Sequence, residues 1–153
     1  MDFILAATLG ILVGFLIALP AIILETSRRV KNLPLLVDVK IWRGYKLKEG
    51  EVFVVGLLLH LATSAAYGLF YVLFVKQNWL IITESPYSFM SMIFVAVLFW
   101  LFINIIIFPL IGLGVMGWKE ERTAWFETLI ALGVESALLW MLIQYYQPYY
   151  FLA

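Results

Sequence analysis

The sequence predicts an all-α polytopic membrane protein, a bundle of four transmembrane helices, and three observations predict it. Of 153 residues, 65% are hydrophobic and only 13% charged, with a mean hydropathy of +1.02, well outside the range of soluble domains. Four stretches, Phe3–Leu24, Val52–Val75, Phe89–Leu113 and Ala124–Tyr146, each meet the requirement of about 20 apolar residues to cross about 30 Å of hydrocarbon. These runs are continuously apolar, whereas a β-barrel would show segments of about ten residues alternating in polarity. The whole chain, 1–153, reads as one integral membrane domain.

The first stretch begins Met1-Asp2-Phe3, without a basic leader, and exceeds the roughly 7–15 residues of a signal-peptide core, so it reads as a mature helix. The loop after it, 25–51, holds Arg28, Arg29, Lys31, Lys40, Arg43, Lys46 and Lys48; the next has only Lys76; the third has Lys119 and Arg122. Nine of the ten basic residues therefore sit in loops one and three, which places those loops in the cytoplasm and both termini outside, in a plasma (inner) membrane. Trp118 and Trp125 fit the inner interface, and Trp79, Tyr87, Tyr145, Tyr146, Tyr149 and Tyr150 an outer aromatic belt. The basic loop also carries Leu33, Leu35, Leu36, Ile41 and Trp42, which would suit an anionic leaflet, but a solvated loop whose charges hold orientation is the simpler reading. Pro34 breaks any continuous surface helix there.

The second helix is where polar chemistry begins. His60, Ser64, Tyr67 and Tyr71 follow the i, i+4, i+7, i+11 spacing of one helical face. On the fourth helix Glu127 and Glu135 are separated by about 80° around the axis and can border one space. With each span centred in the bilayer, Glu135 falls near the midplane, His60 and Asn104 about 5 Å toward the cytoplasm, and Glu127 about 12 Å inward. Ionisable groups at such depth cost several kcal/mol unless they face a bundle interior or an aqueous cavity, so His60, Ser64, Tyr67, Asn104, Glu127 and Glu135, with Thr63 and Ser136 nearby, form the candidate polar cluster.

Two other patterns concern packing. Ala6, Gly10, Gly14 and Ala18 draw a stripe of small residues down the first helix, permitting close approach of another helix, from the same chain or from a second copy. Pro109, Gly112, Gly114 and Gly117 end the third span in a passage that reads either as a hinge or as a helix stopped by glycines. Trp100 lies near mid-bilayer, where its indole N–H needs an acceptor; a core or lipid-facing position is expected over one at a subunit contact.

The string His60-Leu-Ala-Thr-Ser64-Ala-Ala-Tyr67-Gly68 and the Pro109…Gly112…Gly114…Gly117 passage resemble a group of small, uncharacterised bacterial four-helix membrane proteins, over helices two to four. The resemblance implies an architecture more than an activity. In that group a second histidine often begins the polar stripe of the fourth helix, where this chain has Glu127.

Composition narrows the function. There are no cysteines and one histidine, which removes thiolate sites, HExxH zinc helices and bis-histidine haem ligation within one chain. Net charge is zero, without a basic face for nucleic acid. Ser64 stands four residues from His60, but no nucleophile elbow accompanies the pair, so the balance is against an enzyme. The His60, Glu127 and Glu135 set has ligand types suited to a divalent ion but no compact motif, and no metal or other cofactor is expected. Two roles remain: a structural or accessory membrane component, homo-oligomeric through the small-residue stripe or bound to a membrane partner, whose polar groups form a packing network; or a compact proton-coupled, transporter-like or ligand-binding protein whose cavity His60, Ser64, Asn104, Glu127 and Glu135 line.

Overall fold

Backbone amides in an apolar stretch have no water to bond, so each stretch satisfies them internally by winding into a helix. In a computed structural model, which describes residues 2–26, 39–42, 45–83, 85–119 and 122–150, these helices are α1 (Phe3–Thr26), α2 (Glu49–Lys76), α3 (Phe89–Ile111) and α4 (Ala124–Tyr150). All four contain a span long and apolar enough to cross a membrane. Much of the basic loop, including Arg28, Arg29, Lys31, Pro34 and Arg43, lies outside the described residues, as do the side chains of Tyr146, Tyr149 and Tyr150.

Helix ends follow local chemistry. Glu51 accepts a hydrogen bond from the Lys48 N–H at 2.8 Å, so α2 starts before the purely apolar run does. Just upstream, a short antiparallel hairpin pairs Ile41 with Lys46 and Trp42 with Tyr45, an element that hydropathy does not signal. Ser88 caps α3 by accepting from the Ser91 N–H at 3.1 Å. At its other end α3 stops at Ile111 rather than Leu113, because Gly112 turns left-handed at φ +95°. There the Gly112 N–H bonds the Pro109 carbonyl at 3.1 Å and the Leu113 N–H bonds Phe108 at 2.9 Å, a Schellman-type ending. The Lys119 N–H then reaches back to the Leu113 carbonyl at 3.1 Å. Of the two readings of the Pro/Gly passage, the glycine stop is the one present in this conformation.

Within α3, Ile103–Ile107 form a π-helical turn, closed by the Phe108 N–H on the Ile103 carbonyl. The turn precedes Pro109, which has no N–H to give the regular ladder, and contains the buried Asn104. No composition signal announces it.

Consecutive helices pack antiparallel, and α1 also touches α4, so the four close into a ring. The tightest seam is α1 on α2. Gly10 lies against the backbone of Ser64 and Ala65, Gly14 against the side chains of Ser64 and His60, and Gly68 against the backbone of Ala6. Ala18 is fully buried in a small cluster with Ala21, flanked by Ile22, Phe53 and Leu57. The stripe of small residues thus packs against α2 of the same chain, the intrachain one of the two partners that the spacing allows. Its counterpart on α2, the Gly56, His60, Ser64, Gly68 series, has the same four-residue spacing.

The main core lies between all four helices, with Val13, Tyr67, Tyr71, Met92, Val95, Leu139 and Ile143 fully buried. Phe99 packs on Tyr67 and Phe70, with ring centroids 5.7 and 5.2 Å apart. Trp100 is partly buried against this core and donates its indole N–H to the Trp125 carbonyl at 2.8 Å, so its partner is in its own chain.

Candidate functional site: a cavity between the helices

The polar face of α2 serves two sets of neighbours. Toward the C-terminal end of α2, the Tyr67 hydroxyl donates to the Met92 carbonyl at 3.0 Å and lies 2.8 Å from Ser136 Oγ, whose own hydroxyl is 2.6 Å from the Leu132 carbonyl. One turn on, the Tyr71 hydroxyl is 2.7 Å from Ser91 Oγ and accepts from the Tyr87 N–H at 2.7 Å. Gln144 Nε2 donates to the Tyr87 carbonyl at 2.9 Å, tying the connector between α2 and α3 to α4. Each of these hydroxyls is satisfied, and together they join α2, α3, α4 and the connector. This is packing chemistry. Tyr67→Phe leaves the Met92 carbonyl and Ser136 short of a partner, and a loss of about 1–3 kcal/mol is expected, read as a lower melting temperature in detergent with the cavity described next unchanged.

Toward the other end the polar groups behave differently. A cavity of about 90 Å³ opens between α2, the end of α3 and the first half of α4. Thr63, His60 and Gly56 line it from α2; Ile103, Ile107 and Phe108 from α3; Glu127, Thr128, Ala131, Leu132 and Glu135 from α4. Val39 and Leu113, both buried, complete the wall from the loop side. The helical repeat puts Glu127, Ala131 and Glu135 in register on one face of α4, so both carboxylates reach one space.

The two glutamates are not equivalent. Glu127 stands in the first turn of α4, where the helix dipole favours a negative charge, and its Oε1 accepts from the Thr123 hydroxyl at 2.8 Å. It marks the end of the cavity nearest the start of α4. Glu135 is two turns deeper and only 2% exposed, and its Oε1 has no hydrogen-bond partner. The fully buried Ser64 hydroxyl stands beside this carboxyl, close enough to act on it, but the pair falls short of the geometry of a well-formed hydrogen bond.

His60 is half-buried, with Nε2 3.1 Å from the Gly14 carbonyl. The ring is thereby tethered to α1 while bordering the cavity, an arrangement that requires Gly14: a side chain there would meet Ser64. Asn104 is fully buried just behind the wall. Its Nδ2 donates to the Trp100 carbonyl at 2.9 Å and more weakly to Thr128 Oγ1 at 3.4 Å, while Oδ1 is unpartnered. The Thr128 hydroxyl in turn bonds the carbonyls of Ala124 and Trp125, each at 3.0 Å.

Of the six cluster residues, the structure brings His60, Glu127 and Glu135 to one cavity, sets Ser64 and Asn104 directly behind it, and assigns Tyr67 to the separate network above. Sequence reasoning missed Thr128 and the part played by Val39. Thr128 has a legible signal, one helical turn after Ala124 and seven residues before Glu135; Val39 has none, because only the path of the loop brings it there. No family model, curated protein or solved structure matches the chain.

Proposed function

We propose that this chain is a multi-pass membrane protein that binds a small ligand in its intramembrane cavity, as a compact carrier does, with Glu135 as the principal binding group. The observation that carries this reading is the Glu135 carboxyl on the cavity wall, 2% exposed and with an unpartnered oxygen. A purely structural network would spend that oxygen on a donor, as the tyrosine and serine hydroxyls around Tyr67 and Tyr71 are spent. A polar atom left unsatisfied at such depth is costly, and a binding role gives it a use. The basic residues favour the orientation in which the Glu127 end faces the cytoplasm, with both termini outside.

The chain contains no cysteine, so single cysteines report without background. A thiol reacts with a small methanethiosulfonate as the thiolate, which needs water. Thr63→Cys, on the cavity wall, is expected to label in proteoliposomes, whereas Met141→Cys, exposed on the outer face of α4, is expected to stay unlabelled in hydrocarbon. No reaction at Thr63→Cys would mean a dry, structural cluster and would overturn the proposal.

A further inference from the structure

The chemistry of the cavity wall also selects among ligands. We propose that its occupant is a small organic ammonium ion, with N–H donors directed at Glu135 and an apolar body against Leu59, Ile103, Ile107, Phe108 and Leu132. This rests on the preceding reading that the cavity binds a ligand.

Charge comes first. Two glutamate carboxyls and one imidazole line the cavity, with no lysine or arginine among the described lining residues. An anion would enter a space of low dielectric bordered by two acidic side chains, with no described lysine or arginine to compensate its charge. Hydrogen-bond polarity points the same way. The unpartnered atom on the wall, Glu135 Oε1, is a carboxyl acceptor and seeks a donor. An ammonium supplies N–H groups and a compensating charge together, and charge-assisted bonds of this kind are about twice as strong as neutral ones.

A bare divalent cation shares the charge but not the geometry. Among the described residues no three His, Asp or Glu side chains come together closely enough to hold a metal ion. Apart from His60 and the Thr63 and Thr128 hydroxyls, the rest of the wall is hydrocarbon, which suits an alkyl group better than a hydrated ion. Size then limits the body. A cavity of about 150 Å³ is enough for benzene, so one of about 90 Å³ suits roughly four non-hydrogen atoms, as in propylammonium.

The test uses Thr63→Cys in proteoliposomes, a neutral methanethiosulfonate, and three probes of similar size: propylammonium, 1-propanol and propionate. Propylammonium is expected to slow labelling by about tenfold at about ten times its dissociation constant, when roughly one site in eleven remains free. The alcohol and the acid should give no comparable protection. With Glu135→Gln added, labelling should persist while protection by propylammonium disappears. Isothermal titration of the wild-type chain in detergent with propylammonium gives a readout free of any substitution, and saturable binding is expected. Labelling that propylammonium does not slow, protection equalled by propanol or propionate, or protection that survives Glu135→Gln would each overturn the ammonium assignment while leaving a hydrated cavity standing. Failure of Thr63→Cys to label at all removes the cavity reading and this one with it.

Discussion

Gly68→Ala is expected to destabilise the bundle by about 1–3 kcal/mol, the range for forcing extra volume into a closed contact. The added Cβ would point into the Ala6 backbone carbonyl, which cannot rotate aside as a flexible side chain can. Relief requires α1 and α2 to move apart, and that loosens the Gly10 contact with Ser64 and the His60 tether to Gly14 on the same seam. Gly133→Ala is the matched control, because nothing lies within 4 Å of a Cβ at Gly133. In a helix interior that change should be neutral or stabilising by up to about 1 kcal/mol. Thermal melting of both variants in one detergent checks the pair. Equal melting temperatures would show that the α1–α2 seam is looser than the structure has it.

Glu135→Met is expected to have the opposite effect on stability and a severe effect on function. Methionine approximates the length and volume of glutamate while removing a buried carboxyl with an unpartnered oxygen. Eliminating such a group is worth about 1–3 kcal/mol, so the variant should melt higher than wild type. It should also lose protection of Thr63→Cys by propylammonium. The combination matters because the two roles for the cluster predict opposite signs. If Glu135 serves only to join helices, Glu135→Met should melt lower, as Tyr67→Phe is expected to. Stability sacrificed at one position for binding is the usual signature of a functional site.

The candidate site shows how far residue spacing carries. The eight-residue interval between Glu127 and Glu135, and the depth of His60 from the end of its span, are enough to bring the three toward one region, since helical geometry converts sequence distance into angle and rise. Periodicity does not reveal which residues on a polar face are satisfied by neighbours. His60, Ser64, Tyr67 and Tyr71 share one face of α2, yet Tyr67 and Tyr71 find well-placed hydroxyl and carbonyl partners while Ser64 faces the Glu135 carboxyl without a well-formed bond. That difference depends on whether Ser136, Ser91 or a carboxyl stands opposite, information held on other helices.

Lipid imposes its demands locally, one segment at a time, and this is why four membrane-spanning helices can be read directly from apolar runs of this length. The stripe from Ala6 to Ala18 likewise announces a close contact, because only small side chains allow backbones to approach. The tertiary structure decided what the stripe touches: Gly68 and Ser64 of the same chain rather than a second copy. It also decided that a π turn carries Asn104 inward and that Val39 and Leu113 fold back to close a cavity around Glu135. Partner choice between helices is set by the shapes and donors of two surfaces at once, and no single stretch of sequence contains both.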